Sequence, residues 1–432
     1  MNHKHKTIVI SFDGLGTADW KTIERLPAFA RFLKEAAYCK QVETVYPSLT
    51  YPAHCSIATG RWPVNHRVVH NTLLQPQRMA SPDWYWKRRY IQGKTIYEVA
   101  KEKGLKTAAF LWPVTAGAAI DYNIPEIFAN RKWDHQIFAS LRSGSKKLQV
   151  EVFARYGKLM RGIEQPYLDN FLHESVKYTL EKYEPDLSLI HYVDLDGTRH
   201  RYGHDSSQAL MALNRHDKRL AELMELMEGE PVTWVLLGDH SSLDETKAIR
   251  VNRILQRKGW LETKGDGESI LRYQALMQEG DGSAYVYAYP QMKEEDRTAL
   301  AREVQAELEI FSQEHDNCIE AVYTGEEAAE QGADGNCLLM LEAKQGYYFQ
   351  DTLQEPDICE YETKATHGYS PKKPGYTTVF AMKGPGIRQG EVIDTMRLID
   401  EGPIIAHVLG GELPEADGKL RKEFFDESRK DT

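Results

Sequence analysis

The side chains best suited to chemistry in this sequence are hard oxygen donors and imidazoles, set just beyond short apolar runs. Asp13-Gly14 follows the first run, and Asp194-Leu195-Asp196-Gly197-Thr198-Arg199-His200 follows the third. Asp239-His240 closes the fourth, and Thr366-His367-Gly368 precedes the fifth. Taken alone, an Asp-Gly pair is a turn signal and Asp-His a helix cap beside a solvated imidazole. Their joint placement at successive strand ends is what points to a metal site. A mixed carboxylate and imidazole set without thiolates suits zinc, with manganese as second choice, better than calcium. Six such side chains exceed the roughly three that one catalytic zinc needs, so two divalent ions are the simpler expectation. A pair roughly 3.5–4 Å apart serves in-line phosphoryl displacement. The candidate nucleophile is Thr50, in Tyr46-Pro47-Ser48-Leu49-Thr50-Tyr51-Pro52-Ala53-His54. A hydroxyl at a helix start has backbone N–H groups and the positive dipole end beside it, both favourable to a phosphate. The competing role for a threonine there is a plain N-cap.

The elements that must position these groups are legible as hydropathy patterns. Thr7–Phe12, Thr107–Trp112, Leu187–Val193, Val232–Leu237 and Thr377–Met382 are short, β-branched or aromatic runs with little alternation, as expected of strands covered on both faces. Helical periodicity lies between them: Trp20–Ala37 with Leu26, Phe29, Phe32 and Leu33 on one stripe, Thr95–Lys103 ahead of Gly104, and Gln208–Met227 with Leu210, Leu213, Leu220 and Leu223. Alternating strands and helices predict an α/β fold with a doubly wound, mostly parallel central sheet and helices on both faces. Ligands in such sheets bind beyond the carboxyl ends of the strands, where the Asp and His residues fall. The expected division is a catalytic core of 1–245 and 365–432 interrupted by an inserted cap, 246–364, richer in Glu, Gln, Lys and Gly. A second, mostly helical insertion is expected over 130–180.

Composition bounds the partners. The net charge of −10 argues against a nucleic-acid-binding surface. The five scattered cysteines, without CxxC spacing, argue against a disulfide framework or a thiolate zinc site. No apolar run has the length of a membrane span and no leader precedes Thr7, so the expectation is a cytoplasmic protein with no membrane partner. The oligomeric state is not legible.

The motifs IVISFDG, YPSLTYPAHCSIATGRWPVNH, VVHN, GKTIYEVAKEKG, FLWPV, YVDLDGTRHRYGH, LLGDHSS, ATHGYSPKKPGY and MKGPGI occur in that order over about 7–245 and 363–415. In this order they resemble the type I phosphodiesterase/nucleotide pyrophosphatase family of the alkaline phosphatase superfamily. The resemblance implies an alkaline phosphatase-like fold and a metal-dependent hydrolase of phosphodiester or nucleotide pyrophosphate bonds, acting on a small phosphate ester or nucleotide. It implies Asp13, Thr50, Asp239 and His240 around one metal, with Thr50 attacking phosphorus to give a phospho-threonine, and Asp196, His200 and His367 around the second. Asp196 is preferred to Asp194 because its four-residue spacing to His200 matches the family. Ala53 stands where the resemblance implies an asparagine that contacts a phosphoryl oxygen. His54 is a candidate replacement donor, with a structural role as its alternative. Trp112 and the Trp84-Tyr85-Trp86 cluster are candidates to stack on a base or apolar leaving group, core packing being the stronger reading for Trp112. Other readings are a phosphomonoesterase, phosphonate or sulfate-ester hydrolase of the same superfamily, and an inactive protein that retains metal or ligand binding.

Overall fold

The computed structural model describes residues 5–131, 135–264, 269–360 and 364–426. Its centre is a nine-stranded sheet. Strands β1 (Lys6–Phe12), β3 (Thr107–Phe110), β4 (Tyr122–Ile124), β5 (Leu187–Tyr192) and β6 (Val232–Leu237) run parallel in the order β6-β1-β5-β3-β4. Strand Thr378–Lys383 adds antiparallel to β6 and to β2 (Ala37–Glu43), and the short strands Val392–Ile393 and Met396–Arg397 finish that edge. The first residue of β1 apart, β1, β3, β5 and β6 are buried along their length. Such strands bury both faces and therefore read as unbroken apolar runs.

The two faces have separate cores, divided by the two-residue alternation of a strand. Ile8, Ile10 and Phe12 pack against helices Pro27–Glu35, Tyr167–Tyr183 and Ser207–Leu226. Val9, Leu187, Leu189 and Val235 face helices Thr50–Thr59, Ile96–Glu102 and Glu401–Val408. This is the doubly wound sheet expected, with all five foreseen strands present to within two residues at either end.

Three local readings need correction. The helix expected over Trp20–Ala37 is two helices, Trp20–Ile23 and Pro27–Glu35. Pro27 lacks the N–H a continuing helix needs and pushes Leu26 to extended backbone, and Ala37 already belongs to β2. Leu210, placed on the buried stripe of the long helix, is 49% exposed, and Ala209 takes its place beside Leu213, Leu220 and Leu223. Third, β2 alternates and carries Lys40, Gln41 and Glu43, so it lacks the apolar run by which the other strands were found.

After β6 the chain departs into other sheets. Strand Leu243–Ile249 pairs with Gly346–Phe349 and Ile358–Glu360, and at its start with Ala365–Thr366. An antiparallel sheet of Ala275–Gly280, Ser283–Ala288, Leu339–Ala343 and Ile319–Thr324 accompanies the helix Glu294–Glu314. These elements share a cluster of their own, including Leu276, Val286, Val304, Leu308 and Leu341. Helices Gln136–Ser143, Lys146–Tyr156 and Tyr167–Tyr183 occupy most of the other expected insertion.

Candidate active site

Asp13 lies just past β1, Asp239 and His240 just past β6, and Asp196 and His200 on helix Asp194–Tyr202, which begins two residues past β5. All therefore emerge at the carboxyl edge of parallel neighbours. His367 enters from the return of the inserted segment, immediately after Ala365–Thr366. The turn after Asp13 needs Gly14, whose φ is +76°, and its N–H donates to Asp239 Oδ1 at 3.1 Å. Gly368 allows a closer approach still: φ is +82°, and a Cβ there would meet the Gly280 carbonyl oxygen at 2.0 Å. Gly282 N–H donates to the His367 carbonyl at 2.8 Å. The turn of the inserted hairpin is thus pinned directly onto the site.

His240 is the centre of the arrangement. Its Nε2 lies 3.2 Å from Asp13 Oδ1, 3.3 Å from Asp239 Oδ2 and 3.2 Å from Thr50 Oγ1. Its ring stacks on His367, centroids 4.0 Å apart. Asp13, Asp239 and His240 offer donor atoms within 4.8 Å of one another, and so do Asp196, His240 and His367. His200 joins the second group through Asp196, at 3.3 Å.

The electrostatics describe a place built for cations. Burial, then the neighbouring Asp239 and Asp196 carboxylates, pushes the Asp13 carboxyl well above its usual range. Burial pushes Asp239 up to about 7. It also lowers His240 to about 4 and, with His240 alongside, His367 to about 3. At Asp196 burial is outweighed by His200, which holds the carboxyl below its ordinary value. The reverse holds at His200, where burial is outweighed by Asp196 and the imidazole is raised to about 10. Asp13 Oδ1, Asp239 Oδ2, Asp196 Oδ1 and His367 Nδ1 are buried without a hydrogen-bond partner. Orphaned carboxylate oxygens crowded in a dry interior are costly unless a cation compensates them. The donor set therefore fits divalent metal binding.

Residues 7–370 match the family model for type I phosphodiesterase/nucleotide pyrophosphatase. The chain belongs to that family. It is 28% identical over 253 residues to human ectonucleotide pyrophosphatase/phosphodiesterase family member 1, covering 54% of this chain and 23% of that protein. It is 24% identical over 250 residues to venom phosphodiesterase 2 of Crotalus adamanteus, covering 54% and 26%. The chain thus spans about a quarter of the length of these curated relatives. Murine ectonucleotide pyrophosphatase/phosphodiesterase 5 superposes with a TM-score of 0.66 at 18% identity, over 98% of this chain and 100% of that one. An inactive variant of it in complex with AMP gives 0.64 at 17%, over 96% and 98%. The fold is accordingly alkaline phosphatase-like.

Within this family member, three residues considered for substrate contact lie elsewhere. Ala53 is fully buried and belongs to the apolar cluster that holds Val9, Ile57 and Trp112. His54 is fully buried, with Nδ1 2.8 Å from the Thr50 carbonyl and Nε2 3.0 Å from Ser11 Oγ. It braces the helix start against β1 and has no ring nitrogen left for a phosphate. Trp112 is fully buried edge-on to His54, centroids 4.9 Å apart. Asp194 also stands apart, paired with Arg215 at 2.6 Å and Arg219 at 3.2 Å. Arg199 is a buried strut, its guanidinium on Asp19 and the Gly14 carbonyl. His66, His70 and His204 bond Ser56, Glu279 and Ser242 respectively, away from the donor groups. The Trp84-Tyr85-Trp86 cluster does sit by helix Thr50–Thr59, through an edge contact of Trp84 with Tyr51 at 5.2 Å.

Two residues that sequence reasoning passed over belong near the site. Asn71 Oδ1 accepts the Tyr51 N–H at 2.9 Å, which holds its amide beside Thr50. Its signal was the final residue of the VVHN motif. His191 lies on β5 with Nε2 3.2 Å from Asp13 Oδ2 and Nδ1 3.1 Å from the Leu111 carbonyl. An imidazole in an otherwise apolar run was the only trace of it. His54, His191 and Asp239 form a third close group, but both imidazoles already have protein partners at each nitrogen, which makes this layer a brace behind the donors.

Proposed function

We propose that the protein is a metal-dependent hydrolase of phosphodiester or nucleotide pyrophosphate bonds, with Thr50 as nucleophile. The observation that carries this is the position of Thr50 Oγ1, 3.2 Å from His240 Nε2 at the start of a ten-residue helix, beside the orphaned Asp13 and Asp239 oxygens. A tight buried donor group and a hydroxyl at a helix N-terminus together match the needs of phosphoryl transfer: charge compensation and a fixed attacking atom.

Asp13, Thr50, Asp239 and His240 would hold one divalent ion and Asp196, His200 and His367 another, zinc being the better fit to this donor set. Bound there, the ions supply charge neutralisation and a lowered pKa for a coordinated hydroxyl. Thr50 Oγ gives up its proton and attacks phosphorus, forming the Oγ–P bond as the P–O bond to the leaving oxygen breaks. The leaving alkoxide of a diester or phosphate of a pyrophosphate departs, and the proton ends on it or on solvent. Water then cleaves the phospho-threonine, releasing the phosphate product and returning the hydroxyl. At the helix start Tyr51 N–H is taken by Asn71, Pro52 has none, and Ala53 N–H bonds Leu49, which leaves the Thr50 N–H and the Asn71 Nδ2 amide to meet a phosphoryl oxygen. The partly exposed Trp84 would flank the leaving group. The inserted segment 246–364 acts as a cap that shapes what enters. A nucleotide is a reasonable substrate because the inactive murine neighbour, in which a threonine is replaced by alanine, is described in complex with AMP.

The test is metal content by elemental analysis with turnover of bis-p-nitrophenyl phosphate and p-nitrophenyl phosphate, for wild type and Thr50→Ala. Two ions per chain and diester turnover that the substitution abolishes are expected. Turnover of the monoester alone would move the assignment to a phosphomonoesterase. Metal-independent turnover unaffected by the substitution would refute the proposal.

A further inference from the structure

The helical segment 135–164 differs in surface character from the rest of the chain. It carries Arg142, Lys146, Lys147, Arg155, Lys158 and Arg161 against only Glu151 and Glu164, a net +4 in a chain of net −10. All six basic residues are exposed. The same segment displays Ile137, Phe138, Val150, Phe153 and Ile163 at 47–68% exposure, five of the twelve large apolar side chains that are exposed among the described residues. Scattered exposed apolar residues mean little, but a concentration of them marks an interaction surface.

Helix Lys146–Tyr156 shows how the surface is built. Leu148 and Val152 turn inward to the core beneath β1 and β5. On the opposite side Lys146, Val150 and Phe153 follow one another at helical spacing and are all exposed. A helix that has already buried one apolar stripe has no folding reason to show a second one to water. Arg155 and Arg161 lie over the rings of Tyr178 and Tyr167, centroids 4.9 and 4.1 Å away, so both cations stay exposed where this segment packs against helix Tyr167–Tyr183.

We propose that this face docks on an anionic lipid surface. Interleaved lysine, arginine, phenylalanine and branched aliphatic side chains are what an interfacial helix presents to anionic headgroups and the upper acyl region. The local positive charge selects an anionic surface against the repulsion of the acidic remainder. The segment also adjoins the site's scaffold: Gln165, two residues beyond Ile163, packs over Gly197, where a Cβ would meet Gln165 Cγ at 3.5 Å, and Gly197 lies in the helix that carries Asp196 and His200. The proposal replaces the expectation of no membrane partner, and it stands whether or not the hydrolase reading does.

The experiment is co-sedimentation of the full chain with vesicles of phosphatidylcholine alone and of phosphatidylcholine with phosphatidylglycerol, at low and high salt. Binding to the phosphatidylglycerol vesicles only, reversed by salt, is expected. Phe138→Glu with Phe153→Glu, and separately Lys146→Glu with Lys147→Glu, should each lower the partition coefficient by at least about fivefold. Leu271→Glu, at an exposed apolar residue outside the segment, should leave it unchanged. All these side chains are at the surface, so circular dichroism should report unchanged folding. Absence of binding, equal binding to neutral vesicles, or binding indifferent to the four substitutions would each overturn the proposal. So would a dimer in light scattering that Phe153→Glu disperses while vesicles bind nothing, since the occupant would then be a second copy of the chain.

Discussion

The carboxyl edge of the central sheet and the sheets inserted after β6 meet at His367, yet they are built on different terms. At the edge, fixed turns drive carboxylates and imidazoles into one another with their polar atoms unpaired, an arrangement that costs stability and makes sense only if something else compensates it. The inserted segment is conventional: an antiparallel sheet with helices Val251–Arg257 and Glu294–Glu314 around one apolar cluster, which Tyr369 and Tyr376 join from beyond the segment. It reaches the edge chiefly through the turn at Gly280-Asp281-Gly282 and through Glu342, whose carboxylate accepts Tyr46 Oη at 2.7 Å and pairs with Lys373 at 3.0 Å. The contrast assigns chemistry to the edge and restraint to the insertion, and that division can be broken by substitution.

The largest effect is expected at the edge. Asp239→Asn removes the charge of a carboxylate that accepts the Gly14 N–H and lies beside His240, and should lower kcat/KM for a diester by roughly a thousandfold or more, with loss of bound metal. Retention of both would detach Asp239 from the chemistry. Next comes Asn71→Ala, expected to reduce kcat by about a hundred- to a thousandfold, the scale for losing one preorganised donor to a phosphoryl oxygen. An effect confined to KM would make Asn71 only a binding contact.

Smaller effects are expected from the insertion. Asp281 Oδ2 lies 3.9 Å from His367 Nδ1, an outer carboxylate behind an imidazole proposed to hold metal. Asp281→Asn should weaken metal affinity about tenfold, at the low end for such partners, as read by chelator competition. The smallest effect is one of stability. Burial raises the Glu342 carboxyl to about 7 in the folded protein, against an ordinary value near 4.5. Between those values the folded chain holds a proton that the unfolded chain has released, so ionising Glu342 costs stability as pH rises through this window, and the cost is complete above about 7. Glu342→Gln, which cannot ionise, should remove this part of the pH dependence of stability between about pH 4.5 and 7, on the order of 3 kcal/mol at most in the wild type. A melting-temperature difference that stays flat across this range would show that Glu342 is not the strained link between the regions.

What was legible follows from the same contrast. Strands β1, β5 and β6 bury both faces, so their apolar runs stand out, and the donors follow directly at their carboxyl ends. Strand β2 alternates and carries charge, which hid it, whereas the inserted hairpin Ala275–Gly280 and Ser283–Ala288 did carry a turn signal, Asp281-Gly282, within a segment whose weak apolar runs read only as a cap. Within the site, Asp13, Asp196, His200, Asp239, His240 and His367 could be named because strand ends fix where their backbones lie. Side-chain direction was not available in the same way. His54 and Ala53 face inward because helix Thr50–Thr59 turns that side to the sheet, and Trp112, just past β3, packs edge-on against His54 there. Asn71 was hidden because a loop, not a strand end, returns it to Thr50.

The central claim, that Thr50 becomes covalently attached to the substrate's phosphorus, can be tested by acid-quenching metal-loaded protein during turnover of a phosphodiester and mapping modified peptides by mass spectrometry. The account predicts a phosphorylated adduct on Thr50, absent without substrate and absent in Thr50→Ala. Full turnover with an unmodified Thr50 peptide at every quench time, together with inverted stereochemistry at a chiral phosphorus, would mean that water attacks directly and would contradict it.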